Sequence, residues 1–229
     1  MVNVLGMTPL DFGDVGNDAD LRACLEQAGF AVCGSWCMGL SLEDVTRVSD
    51  AAVNLVVSVG ALGVAEALQR TFGTPYVVGL PCAGYQREQV FAALRRAADE
   101  GVSTCAFAPE ARAEAAGANM LVVGDWVCAA SLRSAYRLAG WSGPITVASL
   151  FGPRPPFAEP SDVALVSDRA LADLVACDGF SMVVGDPLLE RIPGVEGARL
   201  VRAAHPATSS NLFGEEVPRY FVDDITQKT

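Results

Sequence analysis

The sequence VNLVVSVGALGVAEALQRTFG, residues 53–73, begins as a continuous apolar run and continues with apolar residues at helical spacing. The run predicts a buried strand over 53–59, and the spacing predicts a helix over 61–72 that ends at Gly73. Ser58 and Gly60 lie in the turn between them. Parallel sheets bind ligands at the carboxyl ends of their strands, so this turn is a candidate site.

The same order, an apolar strand followed by an amphipathic helix, repeats on both sides of that stretch. Strands without polar alternation are typical of a parallel sheet whose two faces are covered by helices. We therefore expect an α/β fold with two Rossmann-like parallel-sheet domains that face a cleft. The predicted boundaries are a first domain over 1–101, a linker or hinge over 102–118, and a second domain over 119–229, with a polar, irregular tail after His205.

Composition excludes several classes of function. The chain has 229 residues, 51% of them hydrophobic, and a net charge of −11. This acidity argues against binding to nucleic acid or to an anionic membrane surface, which both need clustered Lys and Arg. The chain has no apolar run of membrane-spanning length and no signal-like start, so we expect a cytoplasmic protein.

The cysteines suggest buried thiols more strongly than a metal centre. Seven are scattered through apolar segments, as is typical of thiols in a reducing compartment. Cys33 and Cys37 are spaced more widely than the usual C-x-x-C pair, and Cys82 is the only candidate for a third ligand at the same sheet edge. Because no fourth thiolate is marked by a motif, the sequence assigns no metal site.

Three further features leave alternatives open. The spacing G-x-x-G in SVGALG lacks the Lys-Ser/Thr of a phosphate loop, so this turn is either an anion-binding turn or a tight turn needing small residues. His205, the only histidine, follows a strand and is either structural or part of a site. Asp125 and Asp186 each follow a strand and either cap the next helical segment or face a ligand. No catalytic residue can be assigned from spacing.

A resemblance to a known family covers about residues 2–213. The segments LRACLEQAGF, SLEDV, AAVNLVVS and FGTPYVVGLP are similar to the middle part of nitrogenase component 1 proteins, and GDPLLERIPGVEGARLVRAAHPATSSNLF resembles the closing part. Members of that family contain three Rossmann-like domains, of which this chain matches the second and third. The resemblance implies either a piece cut from a longer protein or a shortened relative.

The resemblance also implies where a cofactor would bind, and one residue departs from it. A cysteine ends the equivalent strand in the family's cofactor-holding subunit, whereas this chain has Ser58, whose hydroxyl is a poor ligand for soft iron. The family's second cofactor ligand is a histidine, and His205 lies close to that position. Ser58, Gly60, Cys82 and His205 are therefore the candidate cofactor-binding residues. The family implies an iron–sulfur cluster or other metallocluster, but its usual cysteine is absent here and the sequence does not identify the cofactor.

Two kinds of function follow from the resemblance. The first is a partial oxidoreductase module that binds a metallocofactor or small molecule between its domains, without the N-terminal cluster domain, and receives electrons from an ATP-dependent iron–sulfur reductase. The alternative is a non-catalytic subunit that binds a tetrapyrrole or metal complex, or that serves in assembly. In either case the family implies a homo- or hetero-oligomer with a related subunit.

Overall fold

A computed structural model describes residues 1–38, 40–109 and 118–227. In the first part of the chain the described strands form one parallel sheet of five, in the order β2-β1-β3-β4-β5. Its strands are β1 Val2–Leu5, β2 Val32–Ser35, β3 Val53–Val56, β4 Tyr76–Val78 and β5 Thr104–Cys105.

The second part of the chain forms a second sheet of the same kind. Its five described strands are parallel and run in the order β10-β9-β6-β7-β8. They are β6 Met120–Val123, β7 Ile145–Ser149, β8 Val163–Ala164, β9 Met182–Gly185 and β10 Arg199–Arg202. The predicted α/β fold with two Rossmann-like parallel sheets is confirmed.

The helices alternate with these strands. They are α1 Pro9–Phe12, α2 Asn17–Gln27, α3 Leu42–Thr46, α4 Leu62–Phe72, α5 Tyr85–Glu100, α6 Trp126–Leu138, α7 Asp168–Asp178 and α8 Pro206–Ser209. Among the described residues, no helix combines the length and apolarity needed to cross a bilayer.

The opening stretch folds as its pattern predicts, with a shorter strand. β3 ends at Val56, a 3₁₀ turn covers Val59–Ala61, and α4 ends at Gly73, whose φ of +73° closes the helix in the left-handed region. The strand is shorter than 53–59 because its pairing ends at Val56 and the chain turns at Val59, after extended Ser58. The site turn is therefore a separate element between β3 and α4.

Helix α6 belongs to the second sheet but also packs against the first. Its residues from Trp126 to Tyr136 are buried. The Ser131 hydroxyl accepts a hydrogen bond from the Leu80 N–H at 2.8 Å, and the Ser134 hydroxyl accepts one from the Ala108 N–H at 2.7 Å. One cluster of buried apolar residues includes members of both sheets, so the two sheets share a hydrophobic core.

The segment after His205 has little regular structure, as predicted, but parts of it are apolar and buried. Tyr220, Phe221 and Ile225 are buried, and the Tyr220 ring lies edge-on to Phe12 with centroids 6.0 Å apart. The fully buried Asn17 side chain donates to the Pro218 carbonyl at 3.0 Å and accepts from the Tyr220 N–H at 3.1 Å. A few apolar residues, too sparse for a periodic pattern, anchor this segment to helices of the first sheet, so the predicted polar character holds only in part.

The predicted linker over 102–118 is described only in part. Residues 104–105 form β5 of the first sheet, whereas 110–117, where the linking helix or hinge was expected, lie outside the described residues. The domain boundaries therefore stay a prediction.

Candidate functional site

Each sheet has one point where the order of its strands reverses. In the first sheet the chain passes from β1 to β2 on one side and then returns to β3 on the other side. In the second sheet β6 is followed by β7 and β8 on one side, and the chain then crosses to β9. Ligands of open α/β sheets bind outside the carboxyl ends of the strands at such points. The expected ligand positions are therefore the carboxyl ends of β1 and β3, called the β1/β3 point, and those of β6 and β9, called the β6/β9 point.

A cavity lies at the β1/β3 point, and we call it the Ser58 cavity. Its volume is about 210 Å³, and the residues that line it are Leu5, Gly6, Thr8, Asp11, Trp36, Cys37, Ser58, Gly60, Ala61 and Val64. Gly6 is required here because its φ is +92° and a Cβ atom would lie 2.5 Å from Ser58 Oγ. In contrast, a Cβ atom on Gly60 would meet nothing within 4 Å, so lack of space does not explain that glycine.

A larger cavity lies at the β6/β9 point, and we call it the His205 cavity. Its volume is about 580 Å³, within the range of small-molecule sites. Its walls are largely apolar and include Leu150, Phe151, Leu188 and Ile192. Its polar side chains are those of Asp168, Arg169, Asp186, Arg191, His205 and Thr208.

His205 is the most unusual polar group of this cavity. It is 6% exposed, its backbone N–H donates to Asp186 Oδ2 at 2.8 Å, and its ring lies 4.7 Å from that of Phe151. Within the described residues neither Nδ1 nor Nε2 has a hydrogen-bond partner. Burial lowers the pKa of the imidazole, although the charges of Asp11 and Asp186 oppose this. A buried polar group without a partner is costly, which makes this ring a candidate ligand contact.

Asp11, a residue without a recognisable site motif, lies between the two cavities. It lines the Ser58 cavity, and its Oδ1 lies 3.7 Å from His205 Nε2. Thr8 caps α1 by accepting the Asp11 N–H, and the Thr8 hydroxyl donates to Asp11 Oδ2 at 2.7 Å. The only sequence feature that marked Asp11 was the helix-capping pattern Thr-Pro-x-Asp, which begins at Thr8, shortly after β1. Its approach to His205 depends on tertiary structure.

Asp125 and Asp186 both cap the helical segments that follow them, Asp186 also lines the His205 cavity, and Asp125 makes a further contact. Its carboxylate accepts from the N–H groups of Val127 and Cys128 in α6, while Asp186 caps Leu188 at 2.9 Å. Asp125 Oδ2 also accepts the Val59 N–H at 3.0 Å, which joins the second sheet to the SVGALG turn of the first. Burial raises the pKa of Asp125 to about 6 despite these hydrogen bonds.

The candidate cysteines lie in different environments. Cys82 is 3% exposed in the core, where burial raises its pKa to about 12, and it is not among the lining residues of either cavity. Cys33 is half-buried on β2, whereas Cys37 is exposed and lines the Ser58 cavity. No three His, Cys, Asp or Glu side chains in the described chain are grouped so that they could hold a metal ion. Of the four candidate cofactor-binding residues, Ser58 and Gly60 line one cavity, His205 lines the other and Cys82 lines neither. The role of these four residues in cofactor binding stays a prediction.

The fold and these cavities define the class of the protein: a Rossmann-like α/β protein with ligand-sized cavities at the carboxyl edges of two parallel sheets. A family model described as nitrogenase component 1 type oxidoreductase matches residues 1–123. The chain belongs to this family, and the resemblance found in the sequence is confirmed.

Solved structures agree with this assignment at the level of the fold. A structure described as nitrogenase Cp1 at pH 6.5 has a TM-score of 0.62 and 13% sequence identity, and the match covers 99% of this chain and 58% of that chain. A second, nitrogenase Cp1 at pH 5, has a TM-score of 0.50 and 13% identity, with 99% and 57% covered. The chain therefore spans less than three fifths of these structures. The search of curated protein sequences gave no match.

The donor set of the described residues does not fit an iron–sulfur cluster held by several thiolates. Soft iron sites in proteins use thiolate ligands, but residue 58 carries a hydroxyl and the thiol of Cys82 is buried with a pKa of about 12. The imidazole of His205, whose ring nitrogens have no hydrogen-bond partner among the described residues, is the other candidate ligand group. It fits a ligand that needs a single nitrogen contact in a largely apolar cavity.

Proposed function

We propose that this chain is the ligand-binding part of a nitrogenase component 1 type oxidoreductase, and that it holds a small molecule or metal complex against His205. The observation that carries the proposal is the buried imidazole whose two nitrogens lack partners among the described residues and which lines a cavity of about 580 Å³. A ligand that contacts the ring would satisfy a group that is otherwise costly to bury.

The lining of the His205 cavity suggests the chemistry of this ligand. Apolar side chains from the ends of β6 and β7 and from the segment after β9 favour a molecule with a large apolar surface. Of the charged and titratable groups that line it, Asp186 and His205 are buried, whereas Asp168, Arg169 and Arg191 are exposed. Tetrapyrroles and metal complexes with organic ligands have this combination of apolar surface and polar points.

The test is a thermal-shift panel of tetrapyrroles, metal chelates and nucleotides, run anaerobically on the wild-type chain, His205→Ala and Asp178→Asn. Asp178 is an exposed acid at the end of α7 and serves as the control. A ligand present at about 100 times its Kd should raise the Tm of wild type and control by about 5 °C. No shift with any compound, or an equal shift in His205→Ala, would reject the proposal.

Electron transfer and assembly form the second part of the proposal. Family membership supports a redox role in which the chain pairs with a related subunit and receives electrons from an ATP-dependent iron–sulfur reductase. Light scattering with and without a co-encoded related chain tests the pairing. Reduction of bound ligand that requires both ATP and the reductase tests the redox role.

A non-catalytic binding or assembly subunit is the second candidate, and residue 58 favours it. Ser58 is buried beside Gly6 at the position where the family's cofactor-holding subunit is implied to carry a cysteine. Without that thiolate, binding need not lead to electron transfer. The two candidates differ in one readout: bound ligand whose absorption spectrum does not change with reductase and ATP would favour the non-catalytic subunit.

A further inference from the structure

The SVGALG turn gives the Ser58 cavity a group of backbone N–H donors. The 3₁₀ turn Val59–Ala61 and the 11-residue helix α4 begin at the wall of this cavity, and neither is capped by the side chain of the residue before it. The N–H groups at the start of a helix carry partial positive charge and attract anions. Gly60 leaves this backbone accessible, because a Cβ atom there would meet nothing within 4 Å.

The hydroxyl of Ser58 is a buried polar group beside these donors. Ser58 directly precedes the turn, is 2% exposed and lines the cavity. Its Oγ is directed towards Gly6, another lining residue, since a Cβ atom at Gly6 would lie 2.5 Å from it. Within the part of the chain that the structure describes, this hydroxyl makes no hydrogen bond. A buried hydroxyl without a partner is costly, so it indicates that a polar group of a ligand binds here.

Asp11 gives the same cavity an acidic group. Its side chain is 20% exposed and lines the cavity, and the Thr8 hydroxyl fixes its orientation by donating to Oδ2 at 2.7 Å. No Lys or Arg is among the described residues that line the cavity. A carboxylate has about four lone-pair sites, so Asp11 can still accept hydrogen bonds from a cationic group of a ligand.

We propose that the Ser58 cavity binds a zwitterionic α-amino acid with a small apolar side chain. The start of the turn and the Ser58 hydroxyl receive its carboxylate, and Asp11 receives its ammonium group. The apolar residues Leu5, Trp36 and Val64 line the rest of the cavity and contact the ligand's side chain. The volume of about 210 Å³ is below the usual range of drug-sized sites, which fits a ligand of this size.

This ligand differs from the one that we propose for the larger cavity, and its site needs no thiolate at residue 58. The carboxylate and the N–H donors line one small cavity, so a ligand only a few atoms long contacts both. Such a site favours a molecule that carries both charges over one that carries either charge alone, because the unmatched group of the site would then stay without a partner.

Isothermal titration calorimetry of the wild-type chain at about pH 7 tests the ligand class. The probes are L-alanine, L-valine and L-leucine, each compared with the amine that lacks its carboxylate and with the acid that lacks its ammonium group. We expect at least one amino acid to bind once per chain and at least ~10-fold more tightly than both of its analogues. If no amino acid binds, or if an amine or acid binds as tightly as its parent, the proposal is overturned.

Two substitutions test the groups that receive the charges. Asp11→Asn should weaken binding of the amino acid by about 10–100-fold, whereas Asp14→Asn, at an exposed acid, should leave it unchanged. Ser58→Ala should weaken it by about 3–10-fold relative to Ser142→Ala, and it removes no hydrogen bond of the ligand-free chain. Equal affinities within either pair of variants, each checked for folding by circular dichroism, would overturn the proposal.

A pair of glycines tests the location of the site without removing a charged or polar side chain. Gly60 lines the cavity and Gly63 does not, yet a Cβ atom at either position would meet nothing within 4 Å. Both alanine variants should therefore fold. Gly60→Ala should lower the affinity for the amino acid by about 10-fold because its methyl group takes up ligand space, whereas Gly63→Ala should bind as the wild type does. Unchanged binding by Gly60→Ala would place the ligand elsewhere and reject the proposal.

Discussion

At the residue scale, two buried ionisable groups dominate the carboxyl edge of the second sheet. Asp125 follows β6 and binds the Val59 N–H of the first sheet's turn, and His205 follows β10 and has no ring partner among the described residues. Burial is the largest cause of both pKa shifts, upward for the acid and downward for the imidazole. Both groups therefore favour their neutral forms in the folded protein.

Asp125 gives a pH prediction whose sign follows from its raised pKa. The pKa of Asp125 is about 6 in the folded chain and 3.8 for an ordinary aspartate. Its favourable contribution to stability is therefore full below about pH 3.8 and is lost as the pH rises through about 6. The free energy of unfolding of wild type minus that of Asp125→Asn should increase by about 2 kcal/mol between about pH 7 and pH 4. Urea unfolding at each pH measures this difference. A difference that is constant, or that grows as the pH rises, would contradict it.

Gly6 and Gly60 both line the Ser58 cavity, so alanine substitutions at the two positions can be compared directly. Gly6→Ala should destabilise the fold by about 3 kcal/mol, because its φ is +92° and the new Cβ atom would overlap Ser58 Oγ. Gly60→Ala should change stability by less than about 1 kcal/mol, because its Cβ atom meets nothing within 4 Å. Chemical denaturation of both variants measures these changes. Equal losses in the free energy of unfolding would contradict the close approach of Gly6 to Ser58.

At the element scale, the order of strands and helices could be predicted and the anchoring of several elements could not. Apolar runs such as VNLVV predict strands because a parallel strand is buried on both faces. The four-residue helix α1 carries no periodicity, so nothing in the sequence indicated that it brings Asp11 to His205. The serines of α6 likewise gave no signal, because the N–H groups that they accept from, those of Leu80 and Ala108, lie in loops of the first sheet far away in the sequence.

Helix α6 gives the prediction at this scale. Ser131→Ala removes the acceptor for the buried Leu80 N–H, and an unsatisfied buried donor costs about 1–3 kcal/mol. We expect a loss of that size in the free energy of unfolding. Ser142→Ala, in the exposed loop after α6, should change it by less than about 0.5 kcal/mol. A neutral Ser131→Ala would mean that α6 does not support the first sheet in this way.

At the scale of the whole molecule, the two sheets behave as one structural unit within the described residues. Buried apolar residues of both sheets form one cluster, Asp125 and α6 bind backbone groups of the first sheet, and the C-terminal segment packs back against α2. We therefore expect a single cooperative unfolding transition, seen at the same urea concentration by circular dichroism and by tryptophan fluorescence.

Asn17 tests this coupling. Its amide binds the Phe12 and Pro218 carbonyls and the Tyr220 N–H, so Asn17→Ala would leave three buried backbone groups without partners. We expect the free energy of unfolding to fall by about 3 kcal/mol. The transitions seen by circular dichroism and by tryptophan fluorescence should move to the same lower urea concentration. A loss confined to one probe would indicate that the two sheets unfold separately.

The central claim is that a ligand occupies the His205 cavity and contacts the imidazole. Its most direct test is native mass spectrometry of the wild-type chain and His205→Ala, each isolated anaerobically from cells that also express the neighbouring genes. The account predicts a bound small molecule or metal complex, at up to one per chain, that is retained by the wild-type chain and Asp178→Asn and lost from folded His205→Ala. A wild-type chain without bound ligand, or a His205→Ala chain that carries as much as the wild type, would contradict it.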